Sequence, residues 1–278
     1  MKVLLGIGAV LAGLAAAGAG AAAPGVLIHD AALQVTVIPE ARSDVAVTIV
    51  KTNPRLPLKV MQVGDSVSID GGLFGRSANC HSVFGRPSVL IWGVGHIARD
   101  DLPRIVIRTP MDSRVKAGGA VYGVVGRAAS LDVDNSGCGD WTLADVAGTL
   151  RLHLAGSGDV RAGSAGSAVI HSSGSADLST RAIGGGLEAW SAGSGDIRVQ
   201  SVDGPLRLSV AGSSDVIVHA GAVTDMNVNV AGSGDVKFGG VAQTLRAFVA
   251  GSGDVLVGHV TGQVSQSVLG SGSVHVGS

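Results

Sequence analysis

Seven aspartates, Asp140, Asp159, Asp177, Asp196, Asp215, Asp235 and Asp254, return at intervals of 18 to 20 residues. Carboxylates at a fixed spacing can hold a cation, move a proton or accept backbone hydrogen bonds. Each closes a short glycine-serine string. Ala155-Gly156-Ser157-Gly158-Asp159-Val160 comes back at Ala192–Ile197, Ala211–Val216, Ala231–Val236 and Ala250–Val255. Degenerate copies stand at Ser136–Trp141 and Ser173–Leu178, and Leu269–Val274 places Ser273 at the eighth aspartate position.

If each return is one turn of a coil, the carboxylates form a column about 5 Å apart, and neighbours repel by about 0.8 kcal/mol even in bulk water. The simplest balance is that each aspartate accepts N–H groups of its own Gly-Ser-Gly turn, with the glycines supplying positive φ. A Ca²⁺ ion between turns is the sharper alternative, although the motif does not match nonapeptide calcium repeats. Catalytic use fits least, because here the acids are the repeat itself and not residues that break it. The expected cofactor set is therefore empty, with Ca²⁺ as the one candidate.

The elements that would position these acids are also periodic. Leu150, Leu152 and Leu154 alternate with polar residues ahead of one motif, as do Leu206, Leu208 and Val210, Met226, Val228 and Val230, and Leu245, Ala247 and Val249. Behind the aspartates come Val160 and Ala162, Ile197 and Val199, Val216 and Val218, Val236 and Phe238, and Val255 and Val257. Period-2 alternation marks half-buried strands, and about 19 residues cannot hold a strand-helix-strand crossover. A unit this short buries its apolar face only by stacking on copies of itself. The spacing predicts an all-β parallel β-solenoid with one turn per period.

Composition agrees. The 278 residues include 44 Gly, with only 3% aromatic and 15% charged side chains, and 46% hydrophobic ones exclude a disordered chain. Twenty Lys and Arg against 21 Asp and Glu leave a net charge of −1, so no nucleic-acid partner is expected. Residues 1–23 carry Lys2, an apolar run and a small-residue end, the pattern of a secretory signal peptide. The mature chain is then not membrane-spanning, and it resides in the periplasm, on the outer surface or in the medium.

Residues 24–110 read as a β-rich entry segment without the period, and 111–278 as the repetitive solenoid. Within the entry segment, residues 71–86 read as a Gly/Ser-rich loop. After export, Cys80 and Cys138 are a candidate disulfide whose 58-residue separation is worth about 4 kcal/mol in the chain-entropy picture. Gly93-Val94-Gly95-His96-Ile97-Ala98 mimics a dinucleotide fingerprint, but Pro103 leaves no room for its helix. The eight histidines lie singly, without metal-ligand spacing, so no metal site is expected. An uncovered strand edge at the last repeat makes a homodimer through the C-terminal solenoid end plausible.

The export signal, the non-repeating β segment and the serial A-G-S-G-D-V turns resemble the bacterial family of auto-transporter adhesin head GIN domains over about residues 31 to 276. That resemblance implies an exported β-helical protein of cell adhesion, with a glycan or a cell-surface protein as partner and no catalytic residues. The expected function is a non-catalytic adhesin-like scaffold or binding protein. The alternative is a lyase or hydrolase acting on polysaccharide in a groove along the rod.

Overall fold

A computed structural model describes residues 24–83 and 86–277; the expected signal peptide lies outside them. The chain is a parallel β-solenoid of about nine turns, each of about 19 residues. Two parallel sheets run its length. One stacks Ser130–Asn135, Val146–Leu154, Ala165–Ser172, Leu187–Ser191, Gly204–Gly212 and Ala222–Gly232. The other stacks Trp141–Leu143, Val160–Ala162, Leu178–Ile183, Ile197–Val202 and Val216–Ala220. The long strand Val236–Gly251 contributes to both.

Registry places like on like. Leu152 faces Ile170, Ala189 faces Leu208, and Leu208 faces Val228, so one inward position forms a continuous apolar file through the core. Such files shield every apolar residue with the same residue class one turn away, which a lone turn cannot do.

The glycines of the repeat divide into two groups: Gly212, Gly232, Gly251 and Gly270 have the expected positive φ, and others do not. Gly156, Gly158, Gly193 and Gly195 are not in the left-handed region. Instead a Cβ on Gly156 would collide with the Gly137 carbonyl oxygen, and one on Gly158 with that of Gly139. The corner is narrow because successive turns pack backbone on backbone there.

The N-terminal segment enters the same coil. Gly25–Glu40 pairs in parallel with Asp112–Val125, and its other edge is covered in two pieces, by Ser66–Asp70 and by Arg104–Pro110. Those pieces are in turn closed by the antiparallel strands Lys59–Val63 and Ala46–Lys51, which end the parallel ladder. The expected loop at 71–86 instead contains a strand, Ala78–Val83. It pairs with Arg86–Ile91, and Gly95–Ala98 completes a three-stranded antiparallel side sheet. Val89, Ile91 and Ile97 pack there with Ala120 and Tyr122 of the solenoid in a second core. The segment resembling a dinucleotide fingerprint is a turn, a strand and a single 3₁₀ turn at Arg99–Asp101. At the other end Val264–Gly270 pairs on one side only, and Leu269 is 62% exposed.

Candidate functional site

The aspartates do lie in one file, because the residues that follow them pair in succession: Trp141 with Val160, Val160 with Leu178, Leu178 with Ile197, and Ile197 with Val216. Their partners differ from expectation. Each carboxylate accepts the backbone N–H of the aspartate one turn ahead, and not one of its own turn. Asp140 Oδ1 accepts from Asp159, Asp159 from Asp177, Asp177 from Asp196, Asp196 from Asp215, Asp215 from Asp235 and Asp235 from Asp254, at 2.9 to 3.1 Å. Asp254 ends the file on the N–H and hydroxyl of Ser273, which hold its carboxyl below the usual carboxylate range. The backbone dipole of the next turn thus offsets the like-charge repulsion within the column. Arg198 adds a cation beside Asp196 and Asp177.

A second constellation lies on the outward face of the other sheet. His153, His171 and Trp190 occupy one register file on three successive turns. Their rings stack, with centroids 4.9 Å and 4.3 Å apart and planes within 8° and 11° of parallel. Partial burial lowers the affinity of the His171 imidazole for a proton; neighbouring His153 adds to this and Glu188 opposes it. The stack stops at Trp190, because the file continues with Ser209, then Asn229, and reaches another aromatic only at Phe248. The adjacent outward file carries Arg151, Val169, Glu188, Arg207, Asn227 and Arg246. Among the described residues none of these three arginines pairs with a carboxylate, whereas Arg114 and Lys116 are taken by Asp132 and Asp134.

The third feature is a groove of about 720 Å³ between the side sheet and the glycine-serine corners. Gly119, Gly137, Gly156 and Gly174 line one side, Leu73, Arg76 and Asn79 the other, and His29 and Asp30 also line it. The Cys80–Cys138 disulfide ties the side sheet to the third coil beside this groove. No helix among the described residues is long and apolar enough to cross a membrane.

Alternation of polar residues gave the outward faces, but not the aromatic stack, whose members lie 18 and 19 residues apart. The repeat period was the available signal for it. Nothing in the spacing of His29 and Asp70 announces that they meet.

Fold and faces together define a β-solenoid with long, regular outward faces. Residues 168–278 match the family model described as "Putative auto-transporter adhesin, head GIN domain". No curated protein matches the chain. The match to that family model, together with the β-solenoid fold, fits an exported binding protein.

Proposed function

We propose that the chain is an exported, non-catalytic, adhesin-like protein of the bacterial envelope that binds an acidic glycan on the outward face around Trp190. Residues 1–23 are its signal peptide, 24–110 its entry segment and 111–278 its repetitive body. The observation that carries this reading is the terminated stack. His153 and His171 back Trp190 on one side, while the residue stacked on its other side is the small Ser209. A ring held in place by two others presents its free face at little entropic cost, as sugar stacking requires. Arg207 and Glu188 flank it in the next file, and unpaired Arg151, Arg207 and Arg246 favour an anionic chain over a neutral one.

The aspartate file supports a non-catalytic reading. Its Oδ1 atoms are engaged by backbone N–H groups in a pattern that repeats without exception from Asp140 to Asp254, so no member is set apart for proton transfer. The same engagement weighs against calcium between turns.

The test is calorimetric titration of the exported chain with uronic-acid and sulfated oligosaccharides and with neutral ones, followed by size analysis of the sugars. The expected result is salt-sensitive binding of an anionic oligosaccharide, weakened about tenfold or more in Trp190→Ala and partly kept in Trp190→Phe. Binding untouched by Trp190→Ala overturns the assignment of this face. Shortened sugars overturn the non-catalytic reading in favour of a lyase or hydrolase.

A further inference from the structure

We infer that His29, Asp30 and Asp70 form a binding site for one divalent transition-metal ion of the Zn²⁺ class beside the groove. The parallel pairing of Val26–His29 with Val67–Asp70 sets His29 directly opposite Asp70. In a regular strand residue 30 would face away from residue 29, because successive side chains alternate. Here the register slips between Ile28 and Ala31, so that His29 and Asp30 together oppose the single residue Gly118 of the next turn. Asp30 sits at φ 49°, the one residue besides glycine with positive φ among those described. This bulge re-aims the Asp30 side chain toward that of His29.

One donor atom from each residue lies within 4.8 Å of the other two. His29 Nδ1 is 3.2 Å from Asp30 Oδ2 and 4.0 Å from Asp70 Oδ1. Three ligands at Zn–N and Zn–O distances of about 2.1 Å in tetrahedral array stand about 3.4 Å apart, within the range these atoms span.

The surroundings orient the set. His29 Nε2 lies 3.2 Å from the hydroxyl of Ser68, a residue only 8% exposed. With the imidazole proton on Nε2 and donated to that hydroxyl, Nδ1 presents a lone pair to two carboxylates. Three acceptors then converge without a donor among them, an arrangement that a cation completes. Asp70 Oδ1 is steadied by the Gly72 N–H at 2.7 Å, while the Gly71 and Leu73 N–H groups bind the carbonyls of His29 and Asp30 and pin the bulge. One nitrogen and two oxygens suit Zn²⁺, Co²⁺ or Mn²⁺ better than Ca²⁺, which takes six to eight oxygens. Three protein ligands leave a coordination position for water or a ligand.

The experiment titrates the chelator-stripped chain with ZnCl₂ by calorimetry and with CoCl₂ by visible absorption, with CaCl₂ and MgCl₂ as comparison arms. The expected result is one equivalent of Zn²⁺, a higher melting temperature, Co²⁺ bands that Zn²⁺ displaces, and weaker uptake of Ca²⁺ and Mg²⁺. His29→Gln, Asp30→Asn and Asp70→Asn each lower Zn²⁺ affinity at least tenfold; Asn tolerates the Asp30 backbone and keeps an acceptor for Gly72. Ser68→Ala lowers it about 10- to 100-fold by loosening the imidazole, and Asp196→Asn leaves it unchanged. Metal-free melting of each variant separates lost ligation from lost folding. Absence of one-equivalent uptake overturns the site, as does uptake that survives both His29→Gln and Asp70→Asn, or equal preference for Ca²⁺. In those cases His29 serves as a hydrogen-bond partner of Asp30 and Ser68 and not as a metal ligand.

Discussion

Asp196 Oδ1 accepts the backbone N–H of Asp215, 19 residues and one turn ahead, at 3.0 Å, while the Asp196 N–H is itself given to Asp177 Oδ1 at 2.9 Å. Each ladder aspartate therefore joins two turns, and the contact it makes is with the main chain of its neighbour. Asp196→Ala leaves the Asp215 N–H without its partner and destabilises the chain by about 1 kcal/mol. Asp196→Asn keeps an acceptor and loses less. Urea unfolding of the two variants checks the order, and an equal loss in both would point to the charge instead of the hydrogen bond. Millimolar Ca²⁺ leaves the melting temperature of the chain unchanged.

Backbone stacking at the corner sets a second expectation. Gly156→Ala forces a Cβ into the Gly137 carbonyl and costs about 2 kcal/mol or more, since the two turns must separate. Gly184→Ala meets nothing closer than 4.0 Å at a Cβ and is tolerated. Thermal melts of the pair distinguish steric stacking from a general dislike of side chains in these turns.

Acid should weaken the fold in two windows. His171 binds its proton less readily in the folded chain than a free imidazole, whose pKa is about 6.5, chiefly because it is partly buried. The unfolded chain thus takes up that proton first, and stability falls as pH drops below about 6.5. Asp254 and Asp145 are held below 3.8, Asp254 by Ser273 and Asp145 by the Ser164 N–H and Arg181. Their contribution is present above that value and is lost as pH falls through the lower folded values. Melting temperatures from pH 8 to 2 should show both declines. His171→Asn flattens the upper one and Asp254→Asn the lower.

Replacing Cys80 and Cys138 by serine removes a cross-link of 58 residues, worth up to about 4 kcal/mol. The damage should be local. Apart from the disulfide, the side sheet is held to the coil by the small core it shares with Ala32, Ala120 and Tyr122, so limited proteolysis cuts first within residues 71–103, while the solenoid strands keep their far-ultraviolet signal. Early cleavage within residues 146–260 would show that the side sheet supports the whole rod.

The repetitive body was legible because each turn makes the same contacts as the last, and equal contacts leave equal residues at equal spacing. Leu152, Leu208 and Val228 announced their file in this way. The first coil was not legible as such. Val26 pairs with Val67 on one edge and Val115 on the other, so the chain leaves the stack and returns, and no fixed interval survives. The identity of the aspartate partners was hidden for a related reason, since an acceptor and a donor 19 residues apart look unrelated unless the turns are already stacked. The meeting of His29 with Asp70 depends on the same excursion and on a bulge that sequence pattern does not encode.

Because every ladder bond in the body joins equivalent positions on adjacent turns, a whole period can be deleted or duplicated and the new neighbours still fit. Each such step made after the turn that carries Trp190 changes the rod by about 4.8 Å and leaves the groove, the side sheet and the His153–His171–Trp190 stack untouched. Reach and recognition are thereby separate quantities in this molecule, and descendants of one ancestral gene can differ in the first by copy number alone.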